Sequence, residues 1–201
     1  MKKVFLVFAI LFLLSCNKSD PVFEKLPEDA VILAFGDSLT YGTGASQTAN
    51  YPHFLSTLSS HQVINKGIPG EISLDGLKRL PELLDEYQPE LLILIHGGND
   101  MLRKIPHQQT SNNLKHMIIE AYQRNIKVVM LGVPKFNLFI LNSAKFYQQV
   151  AQEHNVPIDL EILPKILSDN NLKSDTIHPN AKGYQMMAES IFNMLVDTGA
   201  L

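Results

Sequence analysis

The chain has 201 residues, 45% of them hydrophobic, with 17 Lys and Arg against 20 Asp and Glu for a formal charge of −3. That is enough apolar material for one domain with a two-layer or three-layer core, and no second domain is needed. The slightly acidic balance argues against nucleic-acid binding, and a single cysteine excludes an internal disulfide.

Lys2 and Lys3 precede an apolar run from Val4 to Leu14, long enough for the core of an export signal but short for a bilayer span. The run ends Leu13-Leu14-Ser15-Cys16, which resembles a bacterial lipobox and implies cleavage before Cys16 with lipid attached to it. The alternative is an inert thiol in a signal peptide. On the first reading residues 1–15 are a leader, 16–29 a tether carrying Pro21 and Pro27, and 30–201 the folded domain. Losing Lys2 and Lys3 leaves 15 basic against 20 acidic residues, a charge of −5. Several acyl chains would hold such a protein firmly on the periplasmic or extracellular face of a bacterial membrane, where one chain would not.

Within the domain, Val31 to Phe35, Leu91 to Ile95 and Ile126 to Leu131 are short continuous apolar runs, the signature of strands covered on both faces. Val63 to Asn65 is a weaker strand candidate, and Val156 to Ile158 is expected to be the last. Helical stripes lie between them: Leu74, Leu77, Leu80 and Leu84 share one face, as do Leu114, Met117, Ile118 and Ala121. A further helix is expected from about Ala181 to Leu195. Strand alternating with helix predicts a parallel sheet with right-handed crossovers, and ligands in such sheets bind beyond the carboxyl ends of the strands.

Polar blocks stand at those ends. Phe35-Gly36-Asp37-Ser38-Leu39 breaks the first strand into a turn and places a hydroxyl beside unpaired backbone N–H groups, although Asp37 or Ser38 can equally cap a following helix. Asn65-Lys66-Gly67-Ile68-Pro69-Gly70 follows the second strand, and Gly97-Gly98-Asn99-Asp100 the third. Asp175-Thr176-Ile177-His178-Pro179 precedes the last helix. Each has a plain structural reading: a positive-φ turn at Gly70, a tight turn at Asn99, a helix-entry turn at Asp175 to Pro179.

In this order the four blocks resemble those of the SGNH hydrolases, also called GDSL esterases and lipases, and most closely the bacterial thioesterase I, lysophospholipase and arylesterase branch, from about Val31 to Leu195. The resemblance implies an α/β fold of three α/β/α layers, flavodoxin-like, with about five parallel strands. It implies Ser38 as nucleophile, His178 as base and Asp175 as its orienter. The oxyanion hole would be the Ser38 and Gly70 N–H groups with the Asn99 side chain. Chemistry agrees: an amide can donate to an oxyanion, paired glycines allow close backbone approach, and Gly70 has only its backbone to offer. The Gly-x-Ser-x-Gly elbow is absent, which argues against the ordinary α/β-hydrolase fold.

The resemblance also places the acyl pocket at the loop after Gly-Gly-Asn-Asp and at the apolar loop after the fourth strand, so that Leu102, Phe136, Leu138 and Phe139 are its candidate wall; core packing is the equal alternative. Met101 stands where relatives carry a small residue, and His96 where they carry an apolar one, with a structural or pocket-lining role expected. The remaining histidines show no metal-ligand spacing, and Gly42-Thr43-Gly44 is not a phosphate loop. No metal or cofactor is expected, and the chain is expected to be a monomer. The expected substrates are carboxylic esters or thioesters of acyl groups. A carbohydrate O-acetyl esterase is the alternative enzyme, less suited to a chain without tryptophan, and a non-catalytic lipoprotein binding lipid or glycan in the same cleft is the alternative outside enzymes.

Overall fold

The computed structural model describes residues 23–135 and 142–201. Five strands, β1 (Val31–Gly36), β2 (Gln62–Gly67), β3 (Leu91–Ile95), β4 (Lys127–Leu131) and β5 (Ile158–Asp159), form one sheet in the order β2-β1-β3-β4-β5. Every pairing is parallel. The helices are α1 (Ser38–Tyr41), α2 (Tyr51–Ser59), α3 (Ser73–Tyr87), α4 (Gly98–Leu102), α5 (His107–Tyr122), α6 (Lys145–His154), α7 (Ile162–Ser168) and α8 (Ala181–Asp197). Helices α2, α7 and α8 pack together in one layer and α3, α5 and α6 in another, the three-layer α/β/α arrangement expected.

The continuous apolar runs become the centre of the sheet because both of their faces are covered: Ile32 to Phe35 in β1 and all of β3 are fully buried. Register then sets the position of the polar blocks. Gly36, at the end of β1, pairs with Gly67 on one side and Ile95 on the other. The three strands therefore stop level, and Ser38, Gly70 and Asn99 leave along one edge. β2 begins one residue before and ends two residues after the Val63 to Asn65 core expected, and β5 sits at Ile158–Asp159, later than Val156 to Ile158. Helices α2, α6 and α7 are additions to the expected elements.

The segment read as a tether differs in its second half. The Phe23 N–H donates to the Thr198 carbonyl at 2.7 Å and the Leu26 N–H to the Ala200 carbonyl at 2.8 Å, and Leu26 is buried in the core. Any tether thus ends before Phe23. Leu26→Ala is expected to cost about 2–5 kcal/mol, the range for truncating a buried leucine. Thermal unfolding of that variant, compared with a chain cut before Asp20 that keeps Leu26, measures the contribution of this docked strap.

Candidate active site

Asp37 stands between β1 and α1 as the N-cap of the helix, and its Oδ1 accepts the Leu39 N–H at 3.1 Å. The cap reading and the reactive reading of this block therefore coexist, because capping by Asp37 is what turns Ser38 out of the strand. Asp37 is buried, and desolvation raises its pKa although the Leu39 N–H donates to it. Across the cleft, Asn180 rather than Asp175 caps α8, accepting the Gly183 N–H at 3.1 Å. Asp175 is left to organise its own loop. Its Oδ1 accepts the Ile177 and His178 N–H groups, both at 2.8 Å, and its Oδ2 meets His178 Nδ1 at 2.8 Å.

The chain of contacts continues to the other side: His178 Nε2 lies 2.9 Å from Ser38 Oγ. Burial pushes the Asp175 carboxyl upward, but the hydrogen bonds from the His178 ring and from the two N–H groups outweigh it and hold the pKa below the ordinary aspartate value. An ionised carboxylate only accepts. The imidazole proton therefore sits on Nδ1, and Nε2 is left as the acceptor for the Ser38 hydroxyl, the arrangement in which a histidine can take that proton.

Gly70 adopts φ +79°, in the left-handed region that glycine enters without strain, so it is both a turn residue and a presented backbone N–H. Among the described residues neither the Ser38 nor the Gly70 N–H donates to a protein acceptor. Asn99 lies at the start of α4 with its Nδ2 donating to the Glu71 carbonyl at 3.0 Å and, more weakly, to Asp37 Oδ2 at 3.3 Å. Asp100 is buried behind it. Its carboxylate takes hydrogen bonds from the Ser73 N–H at 2.8 Å, from Ser73 Oγ and from Thr110 Oγ1, locking α4 to α3 and α5.

Ser38, Gly70, Asn99 and His178 all line one cavity of about 240 Å³. Its apolar walls are Leu39, Pro69, Leu102, Val133 and Ile177. Leu102, a candidate for the acyl-pocket wall, lines the cavity and is partly exposed to solvent. Phe136, Leu138 and Phe139 lie outside the described residues, as does Cys16. Pro69, Val133 and Ile177 were not singled out in advance, although Pro69 and Ile177 are inside the polar blocks and Val133 opens the apolar loop. His96 is buried away from the cavity, so of its two expected roles the structural one is observed. No group of three or more metal-ligating side chains is present among the described residues.

Residues 34–186 match the sequence model of the GDSL-like Lipase/Acylhydrolase family. The chain is 32% identical over 169 residues to the Thioesterase 1/protease 1/lysophospholipase L1 of Escherichia coli (strain K12), with 79% of each protein covered. It is 30% identical over 176 residues to the Arylesterase of Vibrio mimicus, covering 82% of this chain and 88% of that one. Among solved structures, the crystal structure of TesA superposes with a TM-score of 0.76 at 25% identity, covering 84% of this chain and 99% of the other.

Proposed function

Because the chain belongs to the GDSL-like lipase/acylhydrolase family and is a carboxylic ester hydrolase, we propose that it is an exported serine esterase, lipid-anchored through Cys16, that cleaves acyl esters or thioesters by attack of Ser38. The observation that carries the mechanism is the continuous line from Ser38 Oγ through His178 to Asp175 at the mouth of an apolar-walled cavity. His178 Nε2 takes the hydroxyl proton as Ser38 Oγ attacks the carbonyl carbon, Asp175 stabilises the imidazolium, and the proton then passes to the leaving alkoxide or thiolate. An acyl-enzyme remains, and water repeats the sequence to release the acid.

Charge developing on the carbonyl oxygen would be met by the Ser38 N–H, the Gly70 N–H and the Asn99 amide. Donors fixed in advance are worth more than reorienting water, since they need not move as the charge appears. Asn99→Ala is accordingly expected to lower kcat by about 10²–10³, the scale for loss of one oxyanion donor, with little change in KM. A rise in KM alone in steady-state kinetics would show that Asn99 binds ground-state substrate instead. The apolar walls favour an acyl chain over a sugar, and the names of the relatives, thioesterase, lysophospholipase and arylesterase, favour the same substrates. A panel of p-nitrophenyl esters, acyl-CoA and lysophospholipid ranks them.

The anchor rests on the basic and apolar leader ending Leu-Leu-Ser-Cys16. No helix among the described residues is long and apolar enough to cross a membrane. The mature protein is expected to stay with membranes in high salt and to leave them in detergent, because acyl-chain burial is not screened by ions. Cys16→Ser should block acylation and the cleavage before it, while a chain cut before Asp20 should be soluble and fully active. Mass spectrometry finding Cys16 unmodified, or cleavage elsewhere, would make this an ordinary secreted esterase.

A further inference from the structure

Beside the cleft lies a partly buried charged cluster to which the reaction assigns nothing. Glu71 and Arg79 form a two-point ion pair: Arg79 Nε donates to Glu71 Oε1 and an Arg79 terminal nitrogen to Oε2, both at 2.7 Å. The same terminal nitrogen donates to the Lys66 carbonyl at 2.9 Å and, less closely, to the Gly36 carbonyl at 3.3 Å. The guanidinium is stacked over the Phe35 ring, 4.2 Å from its centroid. Arg79 therefore ties together the carboxyl ends of β1 and β2 and the entry to α3. What it does not reach is the end of β3, which leads into Asn99.

His96 makes that last connection. It ends the apolar run of β3 and is 1% exposed. Its Nδ1 accepts the Gly97 N–H at 2.9 Å, and its Nε2 lies 3.1 Å from Glu71 Oε2. A nitrogen that accepts from a backbone N–H carries no proton, and a carboxylate cannot donate when ionised. Glu71 is held ionised because the hydrogen bonds from His96 and Arg79 outweigh the upward push of its burial. The ring is thus the Nε2–H tautomer, opposite to that of His178. One imidazole grips the peptide that sets the Gly97-Gly98-Asn99 turn and, at its far end, the residue whose own carbonyl holds the Asn99 amide at 3.0 Å. Glu71 is also bonded directly to Gly70.

We propose that His96 is a positioning residue for the oxyanion hole, acting as a neutral crosslink between the Gly70-Glu71 wall and the Gly97-Asn99 wall. A second observation points to the same ring. Gly76 sits in the interior of α3, where glycine is a poor choice, and a Cβ there would lie 2.4 Å from His96 Nε2. The helix gives up a side chain at that position so that the imidazole can reach Glu71. The inference rests on the proposed role of the hole, and it predicts that the brace affects kcat and leaves KM alone, because the hole is most engaged when charge develops.

The test combines spectroscopy with kinetics on the folded domain. A long-range ¹H–¹⁵N spectrum of the wild type should show His96 protonated on Nε2, and an Nδ1–H ring would overturn the brace. His96→Leu, which fills the site but severs both links, should lower kcat roughly 10- to 100-fold, the scale of small misplacements near reacting atoms, with KM unchanged. His96→Asn offers an acceptor near the Nδ1 position, and His96→Gln a donor near the Nε2 position. Each should recover part of the loss. Equal kcat in all three variants, or wild-type kcat in His96→Leu, would reduce the residue to packing and refute the proposal. Should His96→Leu not fold, Gly76→Ala displaces the ring without altering its chemistry and should reproduce the kcat loss; wild-type kcat there overturns the brace. The tautomer is read in the resting protein, whereas the nucleophile is read by fluorophosphonate labelling of Ser38, so failure of one assignment is told from failure of the other.

Discussion

Ser38→Ala is expected to abolish ester hydrolysis, with kcat falling by about 10⁶, the scale seen when a serine nucleophile is removed from a comparable constellation. The fold should survive. The lost hydroxyl contributes one hydrogen bond, to His178 Nε2, at the open edge of the sheet, while the Ser38 backbone continues to hold Gly42 and Thr43 through its carbonyl. Circular dichroism and thermal unfolding of the variant should therefore match the wild type, and a fluorophosphonate probe should label the wild type at Ser38 alone. Appreciable turnover by pure Ser38→Ala protein would dismiss the mechanism.

Asp175→Asn is expected to lose about 10⁴ in kcat for a reason that lies in proton placement. The asparagine oxygen still accepts from the Ile177 and His178 N–H groups, so the loop keeps its shape. Its amide nitrogen, however, donates to His178 Nδ1 and drives the ring proton to Nε2, where it faces Ser38 Oγ and blocks proton transfer. The pH dependence of stability carries an independent sign. Because the folded pKa of Asp175 is depressed, its stabilising contribution is present above the ordinary carboxylate range and is lost as pH falls through the folded value. Acid titration of stability should consequently be shallower in the variant. The Asp175 side chain is 51% exposed, so the difference will be modest, and a variant with undiminished kcat would show that His178 is oriented by something else.

How much of this could be read from residues depended on where each signal lies along the chain. β1 and β3 were legible because strands covered on both faces appear as unbroken aliphatic runs, and their ends located the polar blocks. β2 was only partly legible: it is an edge strand whose residues are half-buried or exposed, so the pattern in Gln62 to Gly67 is mixed. β5, two residues long, is too short to leave a pattern. The blocks bearing Ser38, Gly70, Asn99, Asp175 and His178 were legible because each is local. The brace was not, because Glu71, Arg79 and His96 lie on different segments and only tertiary packing brings them together. Its one local trace was a glycine in the middle of the amphipathic pattern of α3, facing a histidine at the end of an aliphatic run.

The strap at Phe23 and Leu26 fixes where the chain enters the domain. It is bonded to Thr198 and Ala200, just beyond the last turn of α8, whereas His178 lies just before the first turn of that helix. A helix of 17 residues spans about 25 Å at 1.5 Å per residue. With the lipid on Cys16, as proposed, the seven steps from Cys16 to Phe23 extend at most about 25 Å. The strap's docking point and the reaction chamber are therefore at opposite ends of α8. Because the reach of those seven steps equals the length of α8, an anchor at Cys16 would leave the cleft free to turn toward the bilayer or away from it.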